Sequence, residues 1–235
     1  VEYSIVAVVA LTAVMAGGFA QSVTGMGFSL IAAPALIALL GPREGVATVV
    51  LLGTITALVP LLRTWREVRV RHTALGLVPA LLATPVIAFA IRGVDQHVLA
   101  VLSGSAIVLA VASLALGLRS NRLRGPRAAV GAGVASATLN VVGGVGGPPV
   151  GLYVANAGWE GRVSRPSMQA FFVVQGLATV AALGVVAPAW PLLLASLAGT
   201  VTGTVIAERV PNAVARFGVL GAAGGGGLLL VLGNV

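Results

Sequence analysis

The 235-residue chain has no cysteine, no lysine, few aromatic residues (5%) and few charged ones (9%). Without cysteine there is no disulfide, no thiol catalysis and no cysteine-based metal site. The two histidines, His72 and His97, fall in loops far apart in sequence. A histidine-held metal is therefore not expected, and neither is a cofactor. The shortage of charge excludes most. A soluble domain carries about 25% charged residues. With 58% hydrophobic residues and a mean hydropathy of +1.06, this chain could not cover a water-facing surface. A membrane β-barrel would need alternating polar residues, which are absent, and an open sheet would leave its edge unpaired in lipid.

What is present is a series of uncharged apolar stretches, such as 74–91, 98–118, 168–187 and 213–232. A bilayer core takes about 20 such residues per helix, so the expected fold class is an all-α polytopic membrane protein. Ten hydrophobic segments can be read. Five lie at 4–22, 27–40, 46–62, 73–91 and 98–118; after them come 128–142, 147–157, 167–187, 191–207 and 213–232. The stretch 1–21 lacks a basic n-region and is followed by further spans, so it reads as a first segment rather than a signal peptide.

The two sets of five share one length pattern, a broken pair of segments followed by three full spans. Gln21-Ser-Val-Thr-Gly25-Met-Gly27 aligns with Asn140-Val-Val-Gly-Gly144-Val-Gly146, with an amide four residues before a Gly-x-Gly in both. Leu82-Ala-Thr84 likewise aligns with Ala198-Gly-Thr200. The expected organisation is one membrane domain made of two repeats, 1–118 and 128–235, joined by a basic linker at 119–127.

The net charge of +8 comes from fourteen arginines, nearly all in short gaps between apolar spans. That distribution speaks for insertion topology and against nucleic acid. If each broken pair enters and leaves on one side, the second repeat is inverted. Arg63, Arg66, Arg69, Arg71, Arg119, Arg122, Arg124, Arg127, Arg162, Arg165, Arg209 and Arg216 then share one side, leaving only Arg43 and Arg92 on the other. If each pair crosses once, the same arginines split eight to six. The positive-inside bias prefers the inverted arrangement. Trp65, Trp159 and Trp190 fall in or beside loops, where interfacial tryptophan belongs.

The broken pairs carry the candidate site. Segment 147–157 is about 16 Å long as a helix at 1.5 Å per residue, roughly half a bilayer core. Short, Gly/Pro-interrupted segments at matching places in two halves point to a transporter site. Two re-entrant hairpins from opposite sides would bring their glycine-rich tips together near the midplane. Helix starts there leave backbone N–H groups without partners and point positive dipole ends at one place, while glycine allows a ligand to approach closely. Such a place suits an anion without any charged side chain. The candidate substrate-binding residues are Gln21, Ser22, Thr24, Gly25, Gly27, Asn140, Gly144, Gly146, Gly147 and Gln175. Ser29, Tyr153 and Asn156 are weaker candidates. The plainer alternative is that these glycines mark close helix packing, and Gln175, like Gln169, suits an interhelical hydrogen bond as well as a ligand. The stripe of Gly218, Ala222 and Gly226 reads as packing, within the bundle or at the interface of a homodimer. Asp95, Glu44, Glu67, Glu160 and Glu208 read as solvated, so no carboxylate stands out as an intramembrane proton relay.

The stretches GGFAQSVTGMGFSLIAAPAL (17–36) and GAGVASATLNVVGGVGGPPVGLY (131–153) resemble the sulfite exporter TauE/SafE family of membrane permeases. The resemblance covers nearly the whole chain as two similar halves. It implies transport of small sulfur-containing anions, such as sulfite, thiosulfate or organosulfonates, across the bacterial inner membrane. Phe28 and Ser29 follow Gly27 and depart from a strict run of glycines, which reshapes one side of the implied cavity. The expected partners are a small anionic substrate and the lipid bilayer. Three rivals stand beside the transporter: an anion channel or passive facilitator, an intramembrane enzyme, and a non-transporting assembly protein. The enzyme would need a nucleophile–base pair or metal ligands in the membrane, and Ser103-Gly-Ser105 has no basic partner nearby in sequence.

Overall fold

The structure is a computed structural model that describes residues 2–117, 119–206, 221, 224–229 and 232–233. Among these residues there is no strand. The helices in chain order are α1 (Glu2–Thr24), α2 (Phe28–Thr64), α3 (Val70–Ala90), α4 (Gln96–Ala115), α5 (Gly125–Gly143), α6 (Gly147–Asn156), α7 (Gly161–Leu183) and α8 (Trp190–Ile206). Short 3-10 turns at Trp65–Glu67 and Asn121–Leu123 precede α3 and α5. Five helices, namely α1, α2, α3, α4 and α7, are long and apolar enough to cross a bilayer.

The face that each helix buries shows which solvent it was made for. On α3, Leu75, Val78, Leu82, Val86 and Phe89 are exposed, while Thr73, Gly76, Ala80, Thr84 and Ala88 are buried. A water-soluble helix does the reverse. Large apolar residues outward and small or hydroxylated residues inward is the pattern of helices packed in lipid, where close backbone approach drives association. Gly133 of α5 lies so close to Gly76 of α3 that a Cβ there would run into the Gly76 carbonyl oxygen. Gly199 of α8 abuts the Met15 carbonyl of α1 in the same way. Glycine against backbone thus brings α1 close onto α8 and α3 close onto α5.

Two features depart from the segments read in the sequence. Residues 41–45 form no loop: α2 runs through them with a break at Gly41 alone (φ 79°, ψ 168°). Pro42 explains this economy, because its fixed φ and missing N–H suit the first turn of a new arm. The short arm of α2 is residues 28–40 and the long arm 42–64. At the other junction, α5 begins at Gly125, inside the basic linker, with Pro126 in its first turn. The hairpins have unequal limbs: a long α1 or α5, then the short arm of α2 or the 10-residue α6. Each short limb ends at a glycine with positive φ, Gly41 or Gly158, and at neither would a Cβ meet any atom within 4 Å. Of the glycine stripe, Gly218 and Ala222 lie outside the described residues, and Gly226 packs against Pro34 of α2.

The loops gather at two ends. Arg162 pairs with Glu67 (3.3 Å), the Arg69 amide donates to Ser167 Oγ (3.1 Å), and the Ser120 amide donates to Asn156 Oδ1 (2.9 Å). His72 and Tyr153 both meet the Trp159 ring edge-on. These contacts bring the arginine-bearing stretches 63–72, 119–124 and 158–166 to one end. At the opposite end, Arg43 Nη2 donates to the carbonyls of Arg92 and Val94 (both 2.8 Å), tying the start of the long arm to the end of α3. There Asp95 caps α4 by accepting from the His97 amide (2.8 Å), and that bond holds its carboxyl below the usual range.

Candidate functional site

A cavity of about 40 Å³ lies between the hairpin tips. One water needs about 10–15 Å³ on this measure, so the space suits a compact ligand. Gln21, Met26, Gly27 and Ser29 line it from the first hairpin, and Asn140, Gly146, Gly147 and Pro148 from the second. Gly53 and Thr54 of the α2 long arm and Gln175 and Gly176 of α7 complete the wall. These four lie about halfway along their helices. The arms cross closely enough that a Cβ at Gly176 would strike Thr54 Oγ1.

Each break follows from local chemistry. After Thr24 the chain passes through Gly25 (φ 83°) and Gly27 (φ 130°), conformations that favour glycine. Gln21 then stabilises the new helix start, its Oε1 accepting from the Phe28 amide (3.3 Å). In the second hairpin Gly144 (φ 71°) ends α5, its amide donating to the Asn140 carbonyl (2.9 Å), and α6 begins at Gly147. The first turn of α6 holds Pro148 and Pro149, which have no N–H. Tip donors on this side therefore come from Gly146 and Gly147, fewer than a helix start normally offers. The dipole of α6 still points its positive end at the cavity.

Side-chain amides hold the second tip to α7. Asn140 Nδ2 donates to Thr179 Oγ1 (3.0 Å), and Thr179 Oγ1 donates to the Gln175 carbonyl (2.9 Å). Ser136 Oγ lies 2.6 Å from the Gly146 carbonyl and 3.0 Å from Gln175 Oε1. A hydroxyl has one proton, and the shorter contact takes it. Gln175 is 1% exposed, and its Nε2 has no hydrogen-bond partner. Turning the amide over would direct Nε2 to the Ser136 oxygen and leave Oε1 in the vacated place. As placed, the Nε2 end of this buried amide on the cavity wall has no partner in the protein.

The candidate residues therefore separate into two groups. Gln21, Gly27, Asn140, Gly146, Gly147 and Gln175 meet at the cavity, together with Ser29. Four others do not line it. Ser22 donates to the carbonyls of Gly18 (3.1 Å) and Thr200 (2.9 Å), which binds it to α8. Thr24 donates to the Ala20 carbonyl (2.9 Å) within its own last turn. Gly25 packs against Arg165 and Met168, and Gly144 against Val49. Asn156 donates to the Leu152 carbonyl (2.9 Å), and Tyr153 packs beside Trp159, both away from the cavity. Met26, Ser136, Gly53 and Gly176 had no sequence signal of their own.

No charged side chain lines the cavity, and the described residues contain no cluster of metal-ligating side chains. What the arrangement offers is neutral: amides, hydroxyls and helix starts around a small void. A family model described as Sulfite exporter TauE/SafE matches residues 9–230. No curated protein and no solved structure matches the chain.

Proposed function

The chain belongs to the sulfite exporter TauE/SafE family, and from that premise we propose that it carries a small sulfur oxyanion bound between its two hairpin tips near the bilayer midplane. The observation that carries the reading is the buried Gln175 amide, with one end unpartnered, on the wall of a cavity that both tips share. A buried polar group without a partner costs about 1–3 kcal/mol, and a ligand is what would recover it. The absence of a charged side chain fits a carrier, which must release what it binds. A compact anion such as sulfite suits the 40 Å³ cavity better than a long-chain sulfonate.

The inverted two-repeat arrangement is part of the proposal. Exchanging α1 with α5 and α8 with α3 exchanges two close glycine-mediated pairings, α1 on α8 and α5 on α3. It also exchanges Thr200 with Thr84, fully buried residues that each donate to the carbonyl four residues back. The grouping of the arginine-bearing loops at one end supports a cytoplasmic position for that end by the positive-inside bias, in a bacterial inner membrane. Alternating access would follow from one hairpin-bearing group moving against the other.

Uptake of radiolabelled sulfite into proteoliposomes tests the reading. Wild-type flux should saturate with sulfite. Gln175→Leu, close in volume and apolar, should lower kcat/KM by about tenfold or more while the thermal midpoint is kept, since a hydrogen bond to a charged group is worth about 1.5–3 kcal/mol. Unchanged kcat/KM in this variant discards the central site.

A further inference from the structure

A second cavity, of about 410 Å³, opens at the end of the bundle remote from the arginine-rich loops. Its rim carries Arg43 and Arg92, the two arginines that the charge distribution sets apart from the rest. Arginine at that end works against the insertion bias, yet both converge on one void. Insertion alone gives no reason for either to be there, and a ligand would.

The two side chains are held differently. Arg43 is braced through Nη2 alone, by the Arg92 and Val94 carbonyls. A guanidinium has five N–H donors, so most of its fork stays available. The Arg92 guanidinium stands 5.7 Å over the Phe89 ring. Glu44 is adjacent in sequence and Asp95 is engaged as the α4 cap, but neither pairs with these arginines; the ion pair among the described residues is Arg162 with Glu67. Val141 and Val142 also line the cavity, directly before the second tip, and Ser103 Oγ donates to the Val142 carbonyl (2.6 Å). The cavity thus abuts the tip whose other face lines the central site.

We propose that this cavity is a second, weaker oxyanion site, a vestibule in which Arg43 and Arg92 collect the anion that passes to or from the central site. Guanidinium groups match the geometry of oxyanions. Exposure to solvent and salt keeps such binding weak and ionic-strength dependent, which suits a waiting place. The inference rests on the central-site reading for its transport role, but its binding chemistry stands apart.

Calorimetric titration of the purified full chain with sodium sulfite, under nitrogen, tests it. Wild type should show two phases, the weaker one lost on adding sodium chloride. Arg43→Gln/Arg92→Gln should weaken the second phase by about tenfold or more and leave the first; Arg43→Lys/Arg92→Lys should retain both. Arg92→Gln alone leaves the Arg43 brace intact, because that brace is to the Arg92 carbonyl, and must weaken the second phase by itself. Two unaltered phases in the glutamine variants, or a single phase in wild type, overturn the vestibule. Gln175→Leu should remove the tighter phase and spare the weaker. If it spares both, the central site is wrong and the vestibule stands.

Discussion

Met26, at the tip of the first hairpin, occupies the notch left by Gly151 of the second: a Cβ at Gly151 would stand 2.5 Å from Met26 Cε and 2.6 Å from its Sδ. The two hairpins are fitted to each other at this point. Met26 also lines the central cavity, so the fit couples packing to the site. Methionine is flexible and tolerates displacement. Gly151→Ala is therefore expected to keep the fold, with a thermal midpoint near wild type, and to shift the KM for sulfite as Met26 swings aside. Met26→Ala in the same chain should bring KM back towards the Met26→Ala single value. Independent effects in that cycle would show that the tips are not coupled here.

Glycines pressed against backbone should behave otherwise. Gly133→Ala and Gly199→Ala drive a methyl into the carbonyls of Gly76 and Met15, which cannot turn away. Each should lower stability by about 1–3 kcal/mol or more, read as loss of the thermal midpoint in detergent. Gly131, in α5 with nothing within 4 Å of its Cβ position, is the control. Gly131→Ala should be neutral or stabilising by about 0.5–1 kcal/mol.

The absence of cysteine makes the topology directly readable. Single cysteines at Arg66 and Arg122 should react with an impermeant maleimide from the cytoplasmic face only. Cysteines at Gly93 and at Val185, 81% exposed, should react from the opposite face only. Labelling of all four from one face would refute the arrangement of loops.

Ser136→Ala removes the proton held by the Gly146 carbonyl and the hydroxyl beside Gln175. Ser136 is fully buried, so the loss should cost about 1–3 kcal/mol and loosen the second tip. A thermal midpoint that does not move would mean that water or a second donor replaces the hydroxyl.

Much of this was legible in the sequence because glycine and proline mark where a helix cannot continue. Gly25–Gly27 and Gly143–Gly147 located both breaks. The arginines grouped three loops that the structure brings to one end, 63–72, 119–124 and 158–166, while Arg209 and Arg216 lie outside the described residues. The rotation of each helix about its axis was not legible. Ser22 and Thr24 are as polar as Gln21, but neighbours on a helix point about 100° apart; with Gln21 on the cavity, Ser22 turns to Thr200. In a soluble helix the apolar stripe would have given that phase. Here α1 is apolar nearly all round, and only packing sets it. Met26 was hidden for a related reason: its partner is an absent side chain at Gly151.

The glycines that close the short limbs carry a mechanical consequence. Gly41 and Gly158 sit at opposite ends of the molecule, each in a left-handed conformation and each without a neighbour around its Cβ position. Each joint is a bare backbone pivot, so what holds its limb is the packing of Phe28, Leu36 and Ile37 in one hairpin and of Val150, Tyr153 and Val154 in the other. Swinging a tip means releasing those contacts rather than unlocking the joint.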